Sequence, residues 1–220
     1  MAKSRWYQDR QREPFHRQAK KEGYRARSAY KLQEILDRFH IVRRGDAVAD
    51  LGCAPGGWSQ VLAEAVGPEG FVVGVDLQRV KSVAGVRFIK GDITNPDTHA
   101  RLAAVLKEAG RELLDAVVSD MAPDMSGAYD LDQARSVHLA EMALAFGARH
   151  LRPGGNFCCK VFEGLDFPAL RDEVRARFHN VQQIHPTASR RSSSEIYLVA
   201  KGFRGGAGSP PAKPAPAEAV

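Results

Sequence analysis

The 220-residue sequence predicts an α/β fold: a mostly parallel sheet of seven strands with helices on both faces and an antiparallel last strand. Three observations carry this reading. Short apolar runs alternate with stretches of helical periodicity through most of the chain. A glycine-rich turn, 52-GCAPGG-57, follows the first run, where an open parallel sheet binds its ligand. The last two runs are joined by a polar linker containing TASRRSSS, too short for a helical crossover, so they should pair antiparallel.

Taken in order, RARSAYKLQEILDRF (25–39) opens the fold as a helix. AVADLG (47–52) is the first strand, and the glycine turn leads into a helix over 58–66. FVVGVDL (71–77) and VRFIKGD (86–92) are rich in β-branched and aromatic residues and read as strands. A helix over 97–109 carries Leu102, Val105 and Leu106 at helical spacing. LLDAVVSD (113–120) is a strand, and a long helix over 132–150 carries Val137, Leu139, Met142, Leu144 and Phe146. NFCCKVF (156–162) is followed by a helix over 167–178, then by strands at VQQIH (181–185) and EIYLVAKGF (195–203).

The chain is long enough to bury a sizeable core as one domain, expected over 25–203. The tail, 204–220, is mostly Gly, Pro and Ala, which cannot offset its ordering entropy, and is expected to be disordered. Cys53, Cys158 and Cys159 show no zinc-like spacing and read as buried reduced thiols, so no metal site is expected. The start lacks the apolar centre of a signal peptide, and no window approaches the roughly 20 apolar residues of a membrane span. A soluble cytoplasmic protein is the expectation.

Charge is unevenly placed. Residues 1–31 hold ten Lys or Arg against three acids, so the rest of a chain of net charge +6 sums to −1. This is a basic arm, assigned to residues 1–24, running on into the first helix. Trp6, Tyr7, Phe15 and Tyr24 are interleaved in it either as stacking groups for nucleic acid or as anchors of a solvated helix face.

Glycine at 52, 56 and 57 lets the backbone approach a nucleoside-type ligand, and the following helix points its amides there. Three later strands end in acids. Asp76 stands where a carboxylate accepts from a ribose diol, Asp92 suits an adenine amino group, and Asp120 ends the fourth strand. One such acid alone is explained by helix capping; three in succession describe an adenosine-shaped site. The G-x-x-x-G-G spacing differs from the dinucleotide fingerprint, Pro55 removes an amide that a pyrophosphate would use, and no phosphate loop is present. A cofactor without phosphates fits better, namely S-adenosyl-L-methionine, and the chemistry is then methyl transfer.

DLGCAPGGWSQ (50–60), SDMAPDMSG (119–127), KVF (160–162), SSSEIYLVA (192–200) and RARSAYKL (25–32) together resemble the FtsJ/RrmJ family of RNA ribose 2′-O-methyltransferases over roughly residues 5–203. The resemblance implies a Rossmann-like methyltransferase sheet with an antiparallel final strand. It implies a catalytic set of Lys31, Asp120, Lys160 and Glu195, and cofactor contacts at Gly56, Trp58, Asp76, Asp92 and Asp120. The substrate it implies is ribosomal RNA, a uridine of 23S RNA within the 50S subunit; a monomer is the default expectation for the oligomeric state. Two other readings stay open: a transfer-RNA ribose methyltransferase, and a non-catalytic ribosome-assembly protein of the same fold. One local departure is 192-SSSE-195, where a further basic residue is expected before the glutamate. Lys160 follows two cysteines in an apolar strand, where a charge is costly unless partnered, and is the expected general base for the 2′-hydroxyl.

Overall fold

The computed structural model describes residues 18–19, 21–189 and 194–205. Most of the expected basic arm and nearly all of the expected tail lie outside the described residues, as do Trp6, Tyr7 and Phe15. In chain order the elements are α1 (Ala29–Phe39), β1 (Ala47–Leu51), α2 (Gly57–Val66), β2 (Phe71–Asp76), β3 (Val86–Lys90), α3 (Pro96–Glu108), β4 (Leu114–Ser119), α4 (Tyr129–His150), β5 (Leu151–Phe162), α5 (Phe167–Arg177), β6 (Phe178–Ile184) and β7 (Glu195–Phe203).

The seven strands form one sheet in the order β3-β2-β1-β4-β5-β7-β6. β1 pairs parallel with β2 and β4, β2 with β3, and β4 with β5. β7 pairs antiparallel with both β5 and β6, which puts the last strand inside the sheet. Hydropathy explains the insertion. Ile196, Tyr197, Leu198, Val199 and Ala200 are all buried, a continuous apolar run suited to a strand covered on both faces. β6 exposes His179, Asn180, Gln182 and Gln183 and takes the edge.

Alternating side chains divide the core. Ala47, Ala49 and Leu51 of β1 face α3, α4 and α5, represented by Leu102, Leu144 and Leu170. Val48, one residue out of phase, faces α1 and α2 with Leu32, Ile35, Trp58 and Leu62. The strand ends that carry acids therefore share one edge between two helical layers.

β6 starts at Phe178, three residues early, which ends α5 at Arg177, and three other boundaries also depart from expectation. Residues 25–28 form a strap rather than the first turn of α1, because Arg25 N–H donates to Gln60 Oε1 (2.9 Å) and the Ser28 carbonyl accepts from Trp58 Nε1 (2.8 Å). β5 starts at Leu151, five residues early: Leu151 pairs with Leu114, and a register shift absorbs the Pro-Gly-Gly that reads as a turn in sequence. α4 starts at Tyr129, since Asp132 reaches back to accept from Ser126 N–H (2.8 Å), Ser126 Oγ (2.7 Å) and Gly127 N–H (3.1 Å). Tyr24 is an anchor and not a free stacking group. It packs on the α1–α2 core, donates its hydroxyl to Glu64 (2.8 Å) and meets Tyr30 edge-on.

Gly74 in the middle of β2 has no room for a side chain: a Cβ would stand 2.6 Å from the Phe88 ring and 2.8 Å from Cys53 Sγ. Gly74→Ala is expected to lower stability by about 1–3 kcal/mol through overpacking, read as a fall in thermal midpoint; an unchanged midpoint would refute this packing.

Candidate active site

The carboxyl ends of β1, β2 and β4 open on a cleft of about 330 Å³ whose lining includes Gly52, Ala54, Asp76, Asp92, Asp120, Met121, Leu139 and Met142. Gly52 (φ +70°) is required here, because a Cβ would stand 2.4 Å from Met121 Cγ. Asp76 braces the turn, accepting from Ala54 N–H (2.9 Å) and Gln78 N–H (2.7 Å). Asp92 accepts from Thr94 N–H (2.8 Å) and Oγ1 (2.7 Å), and these bonds hold its carboxyl below the usual range.

Gly56, Gly57 and Trp58 do not line this cleft. Gly56 (φ +108°) lies against the Arg25 guanidinium and Gly57 against Ala26, each leaving only 3.0 Å for a Cβ. Arg25 donates to the carbonyls of Pro55 (3.2 Å), Lys81 (2.6 Å) and Ser82 (2.6 Å), joining the strap to the glycine turn and to the β2–β3 loop. Trp58 is buried and stacks on Tyr197 with centroids 5.7 Å apart. These three residues support the turn from the α1 side.

Beside Asp120 the three remaining candidate residues meet. Lys160 on β5 stands opposite Tyr197 on β7, and Glu195 lies two residues away on the same face of β7. That face packs on α1, which delivers Lys31. Both lysines are only 7 % exposed. Buried ammoniums need partners, and each has a carboxylate: Lys160 Nζ donates to Asp120 Oδ1 (2.9 Å) and to its carbonyl, and Lys31 Nζ is in direct contact with Glu195 Oε1. Ser189 Oγ also donates to Glu195 (2.9 Å). The sequence reading missed Tyr197. Its hydroxyl donates to the same Asp120 oxygen that holds Lys160 (2.7 Å), and its ring lies 5.8 Å below Lys31 Nζ. Burial first, then the nearby Asp120 and Glu195 charges, push its hydroxyl well above the usual range, so it stays a donor.

The lining fits S-adenosylmethionine by its charge. Three carboxylates and no Lys or Arg line the cleft, which suits hydroxyl, amino and cationic groups and opposes phosphates. Such a methyl donor would be held at Gly52, Asp76, Asp92 and Asp120. Among the described residues no group of three or more His, Cys, Asp or Glu is placed to hold a metal ion, and no helix is long and apolar enough to cross a membrane. The three cysteines are buried free thiols.

A family profile described as FtsJ-like methyltransferase matches residues 24–203. The chain belongs to this family. Relatives named ribosomal RNA large subunit methyltransferase E include one from Halorubrum lacusprofundi, 51% identical over 87% of this chain and 71% of the relative. Another, from Pseudomonas fluorescens, is 42% identical over 91% of this chain and 94% of the relative. A Plasmodium falciparum crystal structure assigned as a ribosomal RNA methyltransferase superposes with a TM-score of 0.73 at 27% identity, covering 83% of this chain and all of that one. The antiparallel β7 and the mostly parallel sheet are thus the FtsJ-like arrangement, as the sequence predicts.

Two further features escaped the sequence reading. His99 and His150, in α3 and α4, stack with ring nitrogens 2.7 Å apart; burial lowers both, His150 to about 4, so the pair is neutral near pH 7. Beneath the FtsJ-like turn, Asp50 is fully buried. Its Oδ2 accepts from Ser59 Oγ (2.6 Å) while Oδ1 has no hydrogen-bond partner among the described residues.

Burial pushes the Asp50 carboxyl from 3.8 up to about 7, with Asp120 and Asp76 acting in the same direction. The folded state then holds a proton that the unfolded chain has released between these values. This advantage is complete below about pH 4 and lost as pH rises through about 7. Asp50→Asn should therefore gain thermal stability relative to the parent as pH rises from 5 to 8, by at most about 1.4 kcal/mol per pH unit. Parallel midpoint curves for the two proteins would contradict the assignment.

Proposed function

We propose that this protein transfers a methyl group from S-adenosylmethionine to a ribose 2′-hydroxyl in RNA, at a uridine of 23S ribosomal RNA in the large subunit. The observation that carries the reading is Lys160: a buried amine held on Asp120 at the wall of the cleft. Ribosomal RNA as substrate is supported by the names of the relatives from Halorubrum lacusprofundi and Pseudomonas fluorescens. We take the protein to act in the cytoplasm as a monomer, with 1–24 as the arm, 25–203 as the methyltransferase domain and 204–220 as a tail.

A ribose hydroxyl is a weak nucleophile and must lose its proton as it attacks, so a base within hydrogen-bond reach is needed. When bound, S-adenosylmethionine supplies a methyl group on a sulfonium, a good leaving group that requires no metal. Once its ammonium has released a proton to solvent, Lys160 accepts the hydroxyl proton at Nζ and so returns to the ammonium that pairs with Asp120. Asp120 orients that amine, fixed in turn by the Tyr197 hydroxyl. Lys31, aligned by Glu195, sits across the Tyr197 ring and holds the substrate. Most of the acceleration on this reading comes from holding nucleophile, methyl and sulfur in line.

Base methylation is the less favoured reading. After β4 the chain runs Asp120-Met121-Ala122-Pro123, with no aromatic until Tyr129, whereas enzymes that methylate exocyclic amines stack the flipped base on an aromatic within that slot. A non-catalytic assembly role leaves the two buried lysine–carboxylate pairs without a purpose, since burying charge is costly.

Lys160→Ala should slow single-turnover methyl transfer by about 10²–10⁴-fold, read with S-adenosylmethionine saturating so that any change in affinity at the neighbouring Asp120 does not enter the rate. The product linkage should resist alkaline cleavage. Full activity in the variant removes Lys160 as base, and an alkali-sensitive product removes ribose methylation. Offering transfer RNA, naked ribosomal RNA and 50S subunits in parallel identifies the substrate; activity on transfer RNA alone would overturn the ribosomal choice.

A further inference from the structure

We propose that Tyr129, flanked by Met125 and Leu165, is the platform on which the base of the methylated nucleotide stacks. The inference rests on the ribose-methylation reading and adds the residue that positions the substrate.

Six large apolar side chains are exposed among the described residues, and four of them, Met125, Tyr129, Leu131 and Leu165, come from the loop after β4, the first turn of α4 and the loop after β5. Tyr129 is 59% exposed, Met125 67% and Leu165 89%. Scattered apolar residues need no explanation, but a concentration beside a catalytic centre marks a binding surface.

The surface is built and not a frayed loop. Tyr129 donates its hydroxyl to the Glu163 carbonyl (2.8 Å), tying the start of α4 to the end of β5. The Gln133 carboxamide, turned with its oxygen toward them, accepts from Leu165 N–H (3.0 Å) and Asp166 N–H (3.1 Å). Asp132 closes the other loop onto Ser126 and Gly127. Three segments of the fold thus hold apolar side chains out in solvent.

Its position follows the active site. Phe162 pairs with Glu195, and the next residue, Glu163, donates its N–H to the Ser194 carbonyl (2.8 Å), so the carbonyl that holds Tyr129 belongs to the strand end beside the Lys31–Glu195 pair.

Charge chooses the part of the RNA. Residues 121–130 and 163–166 contain no Lys or Arg, and Asp124, Asp130, Glu163 and Asp166 are exposed among them. These acids repel phosphates, leaving an uncharged aromatic base as the group that gains from this surface. Lys21, Arg25 and Arg27 lie in the segment that leads into α1 and suit the backbone.

The test uses the full chain with large-subunit RNA transcribed with 5-iodouridine, together with steady-state methyl transfer to the unmodified RNA. Irradiation of the iodinated complex should attach RNA to the peptide containing Met125 and Tyr129. Tyr129→Ala should raise the KM for RNA about tenfold, and Tyr129→Trp should restore it, because stacking survives while the hydroxyl is lost. The KM and calorimetric affinity for S-adenosylmethionine should not move, since Tyr129 lies outside the cleft. Attachment elsewhere, an unchanged RNA KM in Tyr129→Ala, or a dimer in sedimentation that Tyr129→Ala dissociates would each overturn the platform. An alkali-sensitive product would overturn ribose methylation instead, and attachment at Tyr129 would still report a base stacked there.

Discussion

Two ammonium groups buried at the end of one sheet each require a carboxylate, and meeting that requirement arranges the whole mouth of the cleft. Lys160 comes from β5 and finds Asp120 at the end of the neighbouring β4; Lys31 comes from α1 and finds Glu195 on β7. The two pairs meet only because β7 lies directly beside β5, which is why inserting the last strand into the sheet matters more to the site than any loop. Tyr197 joins the pairs, giving its hydroxyl to one carboxylate and the face of its ring to the other lysine. Removing one partner would leave a charge stranded in a poorly solvated place, so the set stands or falls together.

Composition of the glycine turn follows from a second constraint. Gly52 gives way to Met121, Gly56 to the Arg25 guanidinium and Gly57 to Ala26. Protein segments crowd the turn from both sides, leaving the backbone of one short stretch as the only part facing the cleft. Arg25 adds rigidity through charge-assisted bonds to three carbonyls on two separate loops. A lysine there could not span both loops with one planar fork.

Much of this was legible in the chain. The strand runs, the helix positions, the acids at strand ends and the lysine among apolar residues all express local periodicity or local polarity, which sequence displays directly. What escaped is long-range. Strand order depends on which run is buried on both faces, and the contrast between EIYLVAKGF and VQQIH carried that signal, although the expected pairing of the two needed only their short linker. Tyr197 looked like one more core aromatic, since its alternation is correct and only the partner on β4 reveals its second use. The His99–His150 contact joins residues 51 apart, and the unpartnered oxygen of Asp50 is visible only once Ser59 is known to take the other. The early starts of α4 and β5 were hidden because Asp132 and Pro-Gly-Gly imitate a cap and a turn.

Charge placement sorts a polyanionic substrate before any specific contact forms. The cleft is lined by acids, the loop that leads into α4 is acidic between its apolar side chains, and the segment that leads into α1 carries Lys21, Arg25 and Arg27. A phosphate backbone is therefore attracted to one flank and repelled from the other two surfaces. For a nucleotide whose phosphates are held at α1, sugar and base are the uncharged parts left to project across the mouth, and the first lysine they meet is Lys31. Beyond it, behind Tyr197, lies Lys160. On the proposed function, the same acids that suit the hydroxyl, amino and cationic groups of S-adenosylmethionine keep phosphates out of the cleft, so one charge distribution separates the two substrates.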